Sequence, residues 1–94
     1  MSGSFESVEW DAAKSEKNRL LRGFGFAYAA RVFLEEYVEE ESRGNFGERR
    51  FVVTGAVDDL VLTLVWTPRG TARRIISARR ASRSERRMYY AYYP

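Results

Sequence analysis

The 94-residue chain has no cysteine, no histidine, two prolines and two lysines. Without cysteine there are no disulfides and no thiolate metal sites. Without histidine the usual general base near neutral pH is missing, as is the commonest metal ligand. Acid–base chemistry would fall to Glu, Asp, Tyr, Lys or a group perturbed by arginine. No apolar run is long enough to span a bilayer, and the start, Met1-Ser2-Gly3-Ser4-Phe5-Glu6, does not read as a signal peptide. No membrane partner is therefore expected, and cytoplasmic residence is the expectation.

What is present is arginine, which supplies 14 of the 16 basic residues. A GC-rich genome would explain Arg over Lys, but not its placement. Residues 1–48 hold ten acids and six bases, whereas residues 49–94 hold three acids and ten bases. A basic half favours a nucleic-acid or acidic-protein partner. The densest stretch runs from Trp66 to Arg87 and encloses the apolar pair Ile75-Ile76. That pair and a helix-start signal after it describe a shaped polyanion site rather than a disordered tail. The hydrophobic share of 45% fits an ordinary globular domain, and residues 1–94 read as one.

Local patterns predict the elements. Phe5–Trp10 reads as a short strand. Asp11 caps a helix from Ala12 to about Arg22, and Gly23 stops it. Ala29, Ala30, Phe33, Leu34 and Tyr37 recur at helical spacing, so a second helix is expected from about Phe26 to Val38. The glutamates at its end, Glu35, Glu36, Glu39, Glu40 and Glu41, oppose the macrodipole and should fray it. Residues 42–47 read as loop. Arg50–Val57 and Leu60–Trp66 form a hairpin through Asp58-Asp59, and the second run is apolar on both faces, as in a central strand. Thr67–Gly70 is a turn and Thr71–Ala78 a further strand. Ser82-Arg83-Ser84-Glu85 is a capping box that opens the last helix. The order indicates an α+β domain: a small antiparallel sheet with two N-terminal helices and one C-terminal helix.

These residues resemble the BrnT family of type II toxin-antitoxin systems, ribonucleases with a RelE-like fold. The opening Phe5…Glu9-Trp10-Asp11-Ala12-Ala13-Lys14, the stretch Asn18…Arg22-Gly23…Phe26…Ala29, the Glu48-Arg49 pair and the Thr67-Pro68-Arg69-Gly70 turn are each similar to family motifs. The specific part is Arg74-Ile75-Ile76-Ser77-Ala78-Arg79-Arg80-Ala81 with Glu85-Arg86…Tyr89. Where the family usually has Lys-His, this chain has Leu21-Arg22. The resemblance implies an endoribonuclease toxin and a cognate antitoxin of the ribbon-helix-helix DNA-binding type, through which DNA contact would be indirect.

RNA cleavage without metal or other cofactor uses the substrate's 2′-hydroxyl as nucleophile. The enzyme then has to stabilise phosphorane-like charge and move two protons. The candidate catalytic residues are Arg79, Arg74, Glu85 and Tyr89. Arg79 stands at a strand end beside the capped helix. Glu85, the only acid after Asp59, reads as general base, as an orienter of Arg79, or as a helix cap alone. Tyr89 lies one turn on, as proton donor, as a phosphate contact through its hydroxyl, or as core aromatic. Strand alternation puts Arg73, Ile75, Ser77 and Arg79 on one face and Arg74, Ile76 and Arg80 on the other, unless a bulge intervenes. Arg69, Arg80, Arg86 and Arg49 are the candidate RNA-binding residues. Trp66 reads as core, with a base-stacking platform as the minor alternative. Lys14 and Asn18 share a helix face in a structural role. Two non-catalytic readings stand beside the enzyme: an inactive toxin relic acting as corepressor or nucleic-acid binder, and a partner protein whose basic half holds an acidic antitoxin.

Overall fold

Strand β4 (Leu60–Arg69) lies at the centre of a five-stranded sheet because its side chains are apolar or small on both faces. A computed structural model describes residues 7–44 and 47–94. The chain runs β1 (Ser7–Trp10), α1 (Ala12–Arg22), α2 (Phe26–Ala29), a 3-10 turn (Ala30–Leu34), β2 (Tyr37–Glu41), β3 (Phe51–Val57), β4, β5 (Ala72–Arg80) and α3 (Arg83–Tyr92). The sheet order is β1-β5-β4-β3-β2. All neighbours are antiparallel except β1, which lies parallel to β5. The α+β architecture is as expected, with one more strand than the sequence patterns predict. Phe5 and Glu6 of the expected first strand, and Asn45 and Phe46 of the expected loop, lie outside the described residues.

Asp11 caps α1 by accepting from the Lys14 amide at 3.0 Å, and Gly23 ends it in the left-handed region at φ 91°. Polar side chains fasten α1 to the chain that follows. Ser15 Oγ accepts from the Phe26 amide at 2.8 Å, and Asn18 Nδ2 donates to the Phe24 carbonyl at 2.9 Å. Asn18 thus has the structural part that its place beside Lys14 suggested.

The second helix is a correction. It ends at Ala29, tightens to 3-10 through Leu34, and the glutamate-rich run becomes β2 instead of a fraying helix end. Tertiary pairing overrides the helical spacing. Tyr37 pairs with Gly55 and Glu41 with Phe51. Extended backbone puts Glu39 and Glu41 on one face and Glu40 on the other; Glu39 accepts from Trp66 Nε1 at 3.0 Å and Glu41 takes Arg49 bidentately at 2.9 and 3.0 Å. A helix would have aligned the same carboxylates against its own dipole. The hairpin through Asp58-Asp59 is as predicted, with Asp58 at φ 55°. β4 continues through Thr67 and Pro68, which the sequence reading placed in a turn.

The main core lies between the sheet and the α1–α2 layer. Phe26, Ala29, Val32, Val53, Leu62, Leu64, Trp66, Ile75 and Ala78 are all buried there. Gly55 is the point of closest approach. A Cβ there would run into Val32 Cγ2 and stand 3.1 Å from Tyr37 Cβ. Gly55→Ala is therefore expected to destabilise by about 2 kcal/mol, as overpacked core positions do. That lowers Tm by roughly 10 °C for a domain of this size. A thermal melt within 2 °C of wild type would contradict the packing described.

Helix α3 lies on the other face. It covers the β2–β3 side and reaches Thr63 of β4 through Glu85, while Ser77 and Arg79 of β5 stay exposed. The sequence-level charge asymmetry becomes spatial: the acidic β2 forms one edge of the sheet, and the arginines of β5 gather toward the other.

Candidate active site

A bulge in β5 decides which arginines share a face. Val65 pairs with Ser77 but Trp66 pairs with Ile75, so Ile76 is the extra residue. Regular alternation resets there. Arg74, Ser77 and Arg79 stand opposite Thr67, Val65 and Thr63 on the open face, while Arg73, Ile75, Ala78 and Arg80 turn to the helix side. The unbroken alternation that separated Arg74 from Arg79 is corrected by this one residue. Arg73 leaves the group altogether: its guanidinium stacks 4.2 Å from the Phe33 ring centroid and 5.1 Å from that of Trp66.

At the end of β5 the capping box and an ion pair share one carboxylate. Ser82 Oγ accepts from the Glu85 amide at 3.2 Å, and Glu85 Oε1 accepts from the Ser82 amide at 2.8 Å. Both Glu85 oxygens also receive Arg79, Oε1 from Nη1 at 2.7 Å and Oε2 from Nη2 at 2.9 Å. Thr63 Oγ1 donates to Oε1 at 3.1 Å and is itself 3.2 Å from Thr54 Oγ1. A guanidinium fork on a planar carboxylate is the geometry that best fixes both partners. The Arg79 guanidinium, with the Ser82 amide and the Thr63 hydroxyl, holds the Glu85 carboxyl at about 2 despite the opposing effect of burial. Glu85 in turn raises the Arg79 pKa. Arg79 remains half exposed, at 47%. The product is a rigidly aimed cation at the rim of an open sheet face.

The other candidates divide by place. Arg80 and Arg86 lie near this corner and line a groove of about 370 Å³ with Asp59, Ala81 and Tyr90. Arg74 shares the open face but pairs with Glu9 at 2.9 Å. Its register position opposite Thr67 puts it about 13 Å from Arg79 along β4. Arg69 stands at the far end of β4, and Arg49 joins Glu41 there, its guanidinium 5.1 Å from the Phe51 ring centroid. Tyr89 is buried, and its hydroxyl donates to the Glu36 carbonyl at 3.4 Å. Burial, with the Glu36 carboxylate nearby, raises its pKa. Trp66 is 2% exposed. Thr63 was missed by the sequence reading. Its signal was available, since a hydroxyl inside Leu62–Val65 needs a buried partner.

Residues 10–85 match the family model described as ribonuclease toxin, BrnT, of type II toxin-antitoxin system. The chain belongs to this family. The matched span reaches from Trp10, in β1, to Glu85, the carboxylate of the corner, so Arg86 and Tyr89 lie beyond it. The crystal structure of the Brucella abortus ribonuclease toxin BrnT has a similar fold, with a TM-score of 0.62 and 24% identity over 82% of this chain and 97% of that one. No curated protein matches the chain. As a member of a type II toxin family it has a cognate antitoxin and an RNA substrate as its partners. Among the described residues no helix is long and apolar enough to cross a membrane.

Proposed function

We infer that this BrnT-family chain cleaves RNA at the Arg79–Glu85 corner, with the arginine as the principal source of charge stabilisation. The observation that carries the reading is the bidentate Arg79–Glu85 pair, buttressed by Thr63 and the Ser82 amide at the edge of an open, basic face. In this reading guanidinium supplies the charge that a metal supplies in other ribonucleases. Arg79 receives the non-bridging oxygens of the scissile phosphate. Arg80 and Arg86 hold the backbone around it, and Arg74 and Arg69 extend the basic track along the same face, whereas Arg49, over Phe51 and paired with Glu41, stands on the other face. The 2′-oxygen bonds to phosphorus, the bond to the 5′-oxygen breaks, and a 2′,3′-cyclic phosphate remains.

Glu85 acts as a positioning residue. A carboxylate with a pKa of about 2 is a weak proton acceptor at neutral pH. The 2′-hydroxyl proton therefore passes to solvent hydroxide, and water protonates the leaving 5′-oxygen. Tyr89, with its hydroxyl on the Glu36 carbonyl, supports the fold instead of carrying a proton. The antitoxin that fits the reading is of the ribbon-helix-helix type and brings any DNA contact with it.

The test is cleavage of RNA in EDTA across pH 5 to 9. We expect products in EDTA and a rate rising with pH throughout. A rate flat above pH 4 would assign the proton to Glu85 after all. RNA left intact by the wild-type chain would sink the catalytic reading. It would favour an antitoxin-binding corepressor, a reading that the absence of histidine and the acidity of Glu85 both support.

A further inference from the structure

Beyond Ile75, the edge of β5 away from β4 has no strand beside it among the described residues, because β1 pairs only with Ala72 to Ile75. Open edges of this kind need main-chain partners. Here the end of α1 supplies one. Gly23 stops the helix, and Arg22 just before it donates Nη1 to the Ala78 carbonyl at 3.0 Å. One arm of the guanidinium fork is spent on the edge. Among the described residues, no carboxylate pairs with Arg22 or with Arg80. Yet Arg22, Arg79, Arg80 and Leu21 line a single groove of about 390 Å³. Arg79 enters it from the open face of the sheet and Arg80 from the helix face, so the groove wraps around the β5 edge. Three guanidiniums line it, and of these Arg79 pairs with a carboxylate, Glu85. Converging like charges repel, and a groove with low-dielectric walls concentrates their field on an incoming anion.

We propose that this groove is a phosphate subsite in which Arg22 and Arg80 hold the RNA phosphate next to the one on Arg79. The site is a guanidinium cage for a phosphodiester, and RNA would cross the β5 edge to fill it. The choice of RNA as the polymer rests on the ribonuclease reading above. Arg22 is anchored by the Ala78 carbonyl, so it offers its remaining nitrogens without first being ordered.

The test is binding of a 2′-deoxy analogue of a short single-stranded RNA, which cannot be cleaved, as a function of salt. Arg22→Gln carries no charge, and its shorter side chain gives up the bond that Nη1 makes to the Ala78 carbonyl. It is expected to weaken binding about tenfold at low salt. It should also reduce the slope of log K against log salt by about 0.7, the value for one phosphate contact on a single strand. Arg22→Lys should keep most of that slope, which a purely structural role for Arg22 would not require. An unchanged slope in Arg22→Gln, or no binding by the wild-type chain, overturns the subsite. Binding with the expected Arg22 dependence, by a chain that leaves RNA intact, confirms the subsite while sinking the catalytic reading.

Discussion

Arg79→Ala is expected to reduce RNA cleavage by 10²- to 10³-fold, about 2.7–4 kcal/mol of transition-state stabilisation, the usual loss when one preorganised donor is removed. The fold should survive the change. The Arg79–Glu85 pair is half exposed on its arginine side, and such pairs contribute about 1 kcal/mol or less to stability. Glu85 keeps the Ser82 amide and the Thr63 hydroxyl as partners, so α3 retains its cap. Arg79→Lys restores charge without the fork and should recover only part of the rate. Glu85→Gln tests the positioning role. A glutamine oxygen still accepts from Ser82 and Thr63, but it no longer holds a guanidinium by charge. Its loss should be smaller than that of Arg79→Ala, and the double variant should lose far less than the two single losses combined, because Glu85 acts through Arg79. Single-turnover rates on one RNA, with melts run alongside, give the comparison. An Arg79→Ala rate within threefold of wild type would remove Arg79 from the centre of the site.

The parts of this corner that are local were legible in the sequence, and the parts set by pairing were not. Ser82 and Glu85 announce their reciprocal hydrogen bonds by spacing alone, and both are present. The Asp58-Asp59 hairpin and the two-sided burial of β4 follow from alternation and a short connection. The bulge at Ile76 leaves no mark in composition. It exists because β4 and β5 are joined in register at both ends and differ by one residue between. That single residue determines which arginines share a face with Thr63 and Thr67. The run from Tyr37 to Glu41 failed for a related reason. Its spacing suits a helix, and only the partners supplied by Gly55, Trp66 and Arg49 make the extended form better. Arg22 is silent in the sequence as well, since its role depends on an edge left open by the short β1.

Trp66→Ala should lower stability by about 3–5 kcal/mol, the range for truncating a buried large aromatic. In a domain whose whole stability is on the order of 5–15 kcal/mol, that loss approaches unfolding. The reason lies in what the indole joins. Its ring stacks on Phe51 at 4.7 Å, meets Phe33 edge-on at 6.4 Å and lies beneath the Arg73 guanidinium at 5.1 Å. Its N–H donates to Glu39, which ties β4 across β3 to the acidic strand β2. Trp66→Phe keeps most of the packing and loses one hydrogen bond to Glu39, an exposed carboxylate that water can then solvate, so about 1 kcal/mol of destabilisation is expected. A base-stacking platform predicts the reverse pattern. Its loss would weaken RNA binding by about 1–3 kcal/mol per base and leave the melt nearly untouched, since stacking needs an exposed ring. At 2% exposure the ring is covered on both sides by the protein's own aromatics and arginine. Chemical denaturation of wild type, Trp66→Phe and Trp66→Ala orders the three. Equal midpoints with weakened RNA binding would reassign Trp66 from the core to the RNA surface.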